Sequence, residues 1–551
     1  MCRARTCLPL LALLAFTACS GSGNAPPATP PSTPAPQRYI PQAQYCAPSP
    51  SGPVTGSPLC STIPGNIGPD PALDIPIAYN GIVGAKPTSA ANDVQSPFDN
   101  LSWQTFVALN WTRGKERQPA QEGLQGNGAR VWEGWPRVSA VFGNGPVLAS
   151  CSVPPGLQVF AIASNGKGQP VAQNEEYIQA ATGDPAIDVS GNWTIYERRL
   201  NDLEVAYLKA PGGNARWNLT TRAGQQNLIK DKGTVDFPAA GGKNATGAIE
   251  IKAAWRVLDP ARRTDNQKTY YVVPAMLTVA PDLVTQPLGK PPAPICARVD
   301  LGLVAMHIIQ KNPVTKNDLK PEWFWSSFEH VTNTPLAATA PACDPTSPST
   351  CPTLGQLDCP APPNTAAYSY FNPSCQSPDC KTNQPPIQST KGTPFAWNPT
   401  QPFAKAYLYT TKSKGQTVTV GTQVSRCWKI YSLTDDLNTQ WRDQLGRIGS
   451  VFQNYMLVGT QWGASTTSTP DPKVPTGGVP NFLSNSVVET YLQTMSDPKS
   501  PFGDGSCVSC HLAATLPVDR KTTMTSSNLS FLPDLVTPGL VRRKPMTAHP
   551  N

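Results

Sequence analysis

Cys507-Val508-Ser509-Cys510-His511 sets two thiols and an imidazole at the spacing C-x-x-C-H. That spacing suits the covalent attachment of a c-type haem. The two thiols bond to the two vinyl groups, and the adjoining imidazole supplies an axial nitrogen to the iron. The chain has 15 Cys and 4 His, so chance gives this string on the order of a few times per thousand such chains. A zinc site needs two further ligands at finger spacing, and no such pair follows. A thioredoxin-like C-x-x-C belongs after a strand of a βαβ unit, and none is readable nearby.

The iron's other axial position has several candidates. Met524, Met546 and His549 follow the motif, and Met495 lies just before it. His330 follows the aromatic run Trp323, Phe324, Trp325 and Phe328, and His307 lies in an apolar strand pattern on one face with Leu303 and Ala305. Either His can reach the haem from the body of the protein, as distal ligand or as acid/base, with Glu329 and Glu250 to orient or assist it. The alternative is that both are hydrogen-bonded core residues.

The elements that must position these groups are mainly strands. Ala248 to Val257 alternates, with Ile249, Ile251, Ala253 and Trp255 on one face and Glu250, Lys252 and Arg256 on the other. Thr269 to Ala280 is β-rich, Val299 to Gln310 is apolar on both faces as a buried central strand would be, and Glu322 to Val331 suits its neighbour. A helix opens at Ser96-Pro97 and carries Leu101, Trp103, Phe106, Val107 and Leu109. A second is capped by Thr434, with Leu437, Trp441 and Leu445 recurring every four residues. Val451 to Trp462 reads as a further strand, and Ser486 to Glu489 as a capping box opening a short helix to Met495. The expected fold is mainly β with a few helices: a large antiparallel, β-sandwich-like body plus a short C-terminal helical haem segment. The expected divisions are 1–18, an export signal; 19–75, a Pro/Ser/Thr-rich tether; 76–335, the β-rich body; 336–400, a Cys/Pro-rich insertion; 401–470, the rest of the body; and 471–551, linker and haem segment.

Arg3 and Arg5 followed by the apolar run Leu8 to Phe16 form a signal too short to span a bilayer. Phe16-Thr17-Ala18-Cys19 resembles the lipobox of bacterial lipoproteins, which implies lipidation of Cys19. Ser20 in the next position implies an outer-membrane anchor facing the periplasm or the cell surface. Cys2 and Cys7 leave with the signal, Cys19 takes lipid, and two thiols take haem. Ten Cys remain, an even number that suits disulfides in an exported chain. Five crowd Cys343 to Cys380 and are expected to pair mostly among themselves. Without the signal, 42 basic face 36 acidic residues, a net charge of +6. The basic residues are scattered without an aromatic-interleaved stripe, which argues against nucleic acid.

Phe98-Asp99-Asn100-Leu101-Ser102-Trp103 with Phe106 to Trp111, Gly247 to Trp255, Leu301 to His307, Trp323 to Asn333, and Asn485 to Gln493 join the C-x-x-C-H motif in a wider likeness. Together they resemble a group of exported bacterial proteins described as cytochrome c family proteins. The resemblance implies one covalent haem c and export. Small cytochromes c place the motif near the start of a helical domain, whereas here 40 residues follow His511. The haem module is therefore truncated or completed by the β-rich body. Two functions from different classes follow: an electron carrier with a redox partner protein, touching the membrane only through its lipid, or a peroxidase- or oxygenase-like haem enzyme with an open distal site. A third is a surface ligand-binding lipoprotein with structural haem.

Overall fold

A computed structural model describes residues 59, 61–64, 95–114, 123–125, 128–143, 150–163, 176–179, 185–240, 246–286, 289–312, 322–342, 359–360, 362, 366–374, 382–384, 396–404, 408–410, 417–419, 423–462, 480, 482–493, 505–517 and 524–536. Cys19, Met495, Met546 and His549 lie outside the described residues, as does the side chain of Met524. The chain divides into two units, Met1–Arg38 and Tyr39–Asn551, and all that follows concerns the second.

The body is built on one exceptionally long strand. Its sheet has seven strands: β1 (Gln158–Ile162), β2 (Ile195–Leu200), β3 (Ile249–Val257), β4 (Val272–Val279), β5 (Ile295–Asn312), β6 (Glu322–His330) and β7 (Tyr455–Gln461). At 18 residues β5 reaches about 60 Å. One edge of β5 pairs with β3. The other edge serves β4 over Ile295–Gly302 and then β6 over Ala305–Asn312. The pairings are antiparallel except β1 with β4, which is parallel. The expected mainly-β body with few helices is thus a single large sheet, with helices and the C-terminal segment covering its faces where a sandwich would have a second sheet.

The alternation of β3 separates the two faces. Ile249, Ile251, Ala253 and Trp255 lie in the main core with Met306 and Ile308 of β5 and Phe328 of β6. This core face is covered by α1 (Ser96–Leu109) and by a later helix, Ser432–Arg447. Phe106 stacks on Phe328 at 4.2 Å, Trp103 meets Phe328 edge-on at 5.1 Å, and Trp103 stacks on Trp441 at 5.9 Å. Such aromatic pairs each add about 1 kcal/mol beyond the area they bury. Glu250 and Lys252 point to the opposite face. That face is not left to water, because the C-terminal segment packs on it.

A bulge corrects the expected facing of His307. Ala254 pairs with Ala305 and Trp255 with Leu303, so Val304 is an extra residue in β5. One extra residue reverses the alternation beyond it. Leu303 therefore stays in the main core, while Ala305 and His307 turn to the face of Lys252.

Other details also differ from the sequence reading. Thr434 does not cap its helix. The helix begins two residues earlier, and Thr434 is buried inside it, donating from Oγ1 to Asp99 Oδ2 at 2.5 Å. The expected strand from Val451 starts as a 3-10 turn, Val451–Asn454, before β7. Ser486 does not close a capping box, because Glu329 takes its hydroxyl and amide, and only one 3-10 turn follows, Thr490–Leu492. Cys359 leaves its Cys-rich stretch to pair with Cys427, and Cys151 pairs with Cys296.

Candidate functional site

The C-x-x-C-H motif is itself a short helix, Cys507–His511, followed by the two-stranded hairpin Thr515–Pro517 and Met524–Ser526. β7 fixes where this helix starts. Gln461 Nε2 donates to Ser506 Oγ at 2.9 Å, and Gln461 Oε1 accepts from the Val508 amide at 2.9 Å. Gly505 passes so close to the Phe482 ring that a Cβ there would collide with it, and its carbonyl accepts from the Leu483 amide at 2.7 Å. Val508, Leu516, Leu529 and Leu532 then bury against Ile309, Trp323 and Trp325 of the sheet.

This packing holds both thiols and the imidazole in fixed places. Neither Cys507 nor Cys510 is in a disulfide. Burial pushes the Cys507 thiol well up in pKa, and the Glu489 carboxyl and the Cys510 sulfur act in the same direction. The His511 ring lies 4.3 Å from Trp325 and 4.9 Å from Phe531. His511 Nδ1 is 2.7 Å from the Leu529 carbonyl. A carbonyl can only accept, so Nδ1 carries the proton and Nε2 keeps its lone pair. Leu529 adopts φ +65° and Asn528 φ +59°. The left-handed region costs a residue such as Leu on the order of 1–2 kcal/mol. Asn528 anchors the turn: its carbonyl accepts from Trp323 Nε1 and its Oδ1 from Lys311 Nζ, each at 2.9 Å. Burial pushes the His511 pKa down to about 4, against the Leu529 carbonyl and with help from the Lys252 charge.

Facing this helix on the same side of the sheet are His307, Lys252 and Glu489. His307 is paired across the ladders with Lys252 and with Ser327. Ser327 is two residues from Trp325, the residue that touches His511. His307 is nine-tenths buried, and its Nε2 has no hydrogen-bond partner. Glu489 Oε2 lies 3.4 Å from it, outside hydrogen-bonding geometry. Burial pushes the His307 pKa down to about 3, and the charges of Lys252 and His511 act in the same direction. Burial pushes Glu489 up to about 7, opposed by Lys252 and by the Asn485 amide, which donates to Oε2 at 3.0 Å. His307 and His511 are thus both neutral imidazoles near pH 7.

The remaining sequence candidates are placed elsewhere or already engaged. His330 points to the core face, away from the motif. Its Nε2 donates to the Thr269 carbonyl at 2.8 Å, its Nδ1 accepts from Thr332 Oγ1 at 2.8 Å, and its ring stacks on Tyr270 at 4.3 Å. It is a satisfied core histidine. Glu329 lies on the haem-motif face but is bound to Arg426 and to Ser486. Glu250 sits beside Glu204, which is buried with neither oxygen hydrogen-bonded, and burial raises both carboxyl pKa values. Sequence reasoning missed Glu489 as a site residue, because its spacing from Ser486 matched a helix cap. It also missed the Leu529 carbonyl, which no side chain advertises. An open cleft lies beside the motif, reaching it through Phe482 and Leu483, and is lined by none of the Cys or His residues above.

These groups suit a haem held by two thioethers and one imidazole. The thiols and ring sit on one short helix, Nδ1 of the ring is engaged by a backbone carbonyl, and Nε2 keeps a lone pair that could bind a metal. No family model, curated protein or solved structure matches the chain. Among the described residues, no helix is long and apolar enough to cross a membrane.

Proposed function

We propose that this protein is an exported mono-haem c-type cytochrome lipoprotein that transfers electrons, with the haem attached at Cys507 and Cys510 and His511 as an axial ligand. The observation that carries this reading is the His511 ring, clamped between Trp325 and Phe531 with Nδ1 donating to the Leu529 carbonyl. When bound, the haem supplies a one-electron iron couple. The chain's own residues do the rest. Leu529 holds the proton on Nδ1, so Nε2 is permanently available. Val508, Leu516, Leu529 and Leu532 exclude water from the side that faces the sheet. Lipid on Cys19 would tether the chain to the outer membrane, and a second redox protein would deliver or take the electron.

One observation favours a second reading. Glu489, with its pKa raised by burial, stands beside His307. Such an acid–base pair suits the distal site of a peroxidase- or oxygenase-like haem enzyme.

The central test is the double substitution Cys507→Ala with Cys510→Ala. Wild-type protein should keep its haem absorbance after denaturation, and the double variant should lose all of it. Haem retained through denaturation in the variant would sink the proposal. Separately, Cys19→Ala should release the protein from the membrane fraction, and unchanged fractionation would remove the lipid anchor.

A further inference from the structure

The body of the protein contributes one histidine whose surroundings lack what a structural histidine needs. A buried nitrogen without a hydrogen-bond partner is costly to leave unsatisfied. His307 Nε2 is such a nitrogen, and it lies on the sheet face that receives the C-x-x-C-H helix. Its cross-strand partner is Ser327, so Trp325 is its diagonal neighbour, with backbones about 7–8 Å apart. The Trp325 ring in turn lies 4.3 Å from the His511 ring.

We propose that His307 of β5 is the sixth ligand of the haem iron, binding through its unpartnered Nε2, so that the sheet and the C-terminal segment each supply one axial imidazole. This rests on the haem reading above and sharpens it towards electron transfer, since two protein ligands fill both axial positions. Met306, its neighbour in sequence, lies on the core face and cannot substitute. Glu489 Oε2, 3.4 Å from the His307 Nε2, would have to turn aside for iron to bind there. Lys252, paired across the ladder from His307, would set a positive charge near the site.

The test uses the full chain with haem attached, quantified first as pyridine haemochrome. Wild-type protein should be low-spin in both oxidation states, indifferent to carbon monoxide, with the near-infrared band of bis-histidine ligation. His307→Ala should keep its covalent haem, lose the low-spin signal, and bind carbon monoxide. Added imidazole should restore the low-spin spectrum. If His307→Ala does not accumulate, His307→Met should shift the near-infrared band from bis-histidine to histidine–methionine and raise the reduction potential. A wild-type haem that is high-spin, or a His307→Ala spectrum that stays low-spin, or an unshifted band in His307→Met, would overturn the ligand assignment. Absence of any covalent haem in the wild type is a separate result: it would overturn the haem reading, and this inference with it.

Discussion

His307 and His330 sit on neighbouring strands of one sheet, both buried, both held neutral by that burial. They differ in which face they occupy. The core face around His330 answers every polar atom of the ring: Thr269 accepts, Thr332 donates, Tyr270 stacks on the ring and Tyr455 meets it at a right angle. The opposite face gathers Lys252, Glu489 and His307 beside the C-x-x-C-H helix and leaves the His307 Nε2 without a hydrogen-bond partner. A polar group satisfied inside the fold contributes to stability. One left unsatisfied is poised for something the polypeptide does not supply. Burial alone does not separate the two; the inventory of hydrogen-bond partners does.

The comparison can be broken or sharpened by measurement. Arg426→Leu should have the largest effect, because it strands the buried Glu329 carboxylate at the structural end of the haem-motif face. The expected cost is about 3–5 kcal/mol, read from urea unfolding. A loss under about 1 kcal/mol would mean that this end of the face is not locked by the ion pair.

Acid should act through His330. Burial comes first in lowering its pKa to about 4 from 6.5; the charges of Arg256 and Arg442 add to this, and the Thr269 hydrogen bond opposes it. The unfolded chain takes up a proton below about pH 6.5, which the folded ring refuses until about pH 4. Stability from this group therefore falls as pH drops through that window, by about 3 kcal/mol in all. His330→Phe should flatten the wild-type stability profile between pH 7 and pH 4.5 by a comparable amount. A profile of unchanged slope would mean that His330 is not held neutral.

At neutral pH, His330→Phe should cost about 2 kcal/mol, since it removes the ring's hydrogen bonds with the Thr269 carbonyl and Thr332 Oγ1, although Asn454 Nδ2 still donates to that carbonyl. It should leave any haem spectrum untouched. The smallest effect is expected for His307→Phe in protein lacking haem, within about 1 kcal/mol of wild type, because no hydrogen bond of Nε2 is lost. Equal losses for the two substitutions in chemical denaturation would erase the distinction between the faces.

Much of this arrangement was legible in the sequence, and what was not has physical reasons. The alternation of Ile249 to Trp255 separated the two faces of β3, and the two-sided apolar run of β5 marked the central strand. The C-x-x-C-H string marked its own helix. The facing of His307 was hidden because the bulge residue is Val304, one more apolar side chain in an apolar run, and Gly302 two residues before it is a faint cue. Thr434 and Ser486 looked like caps because local spacing cannot reveal that Asp99 or Glu329, hundreds or scores of residues away, will claim their hydroxyls. The pairing of Cys359 with Cys427 likewise depends on tertiary approach rather than spacing.

The bulge at Val304 carries one more consequence, for how this gene can drift. Apolar exchanges along β5 are tolerated while volume is kept. Loss or gain of a single codon there is a different event. Removing Val304 would erase the bulge yet leave His307 opposite Lys252, whereas adding one residue between Ala305 and Met306 would drive His307 into the aromatic core and present the Met306 thioether to the C-x-x-C-H helix instead. At this point of the chain, selection must guard a length rather than a letter.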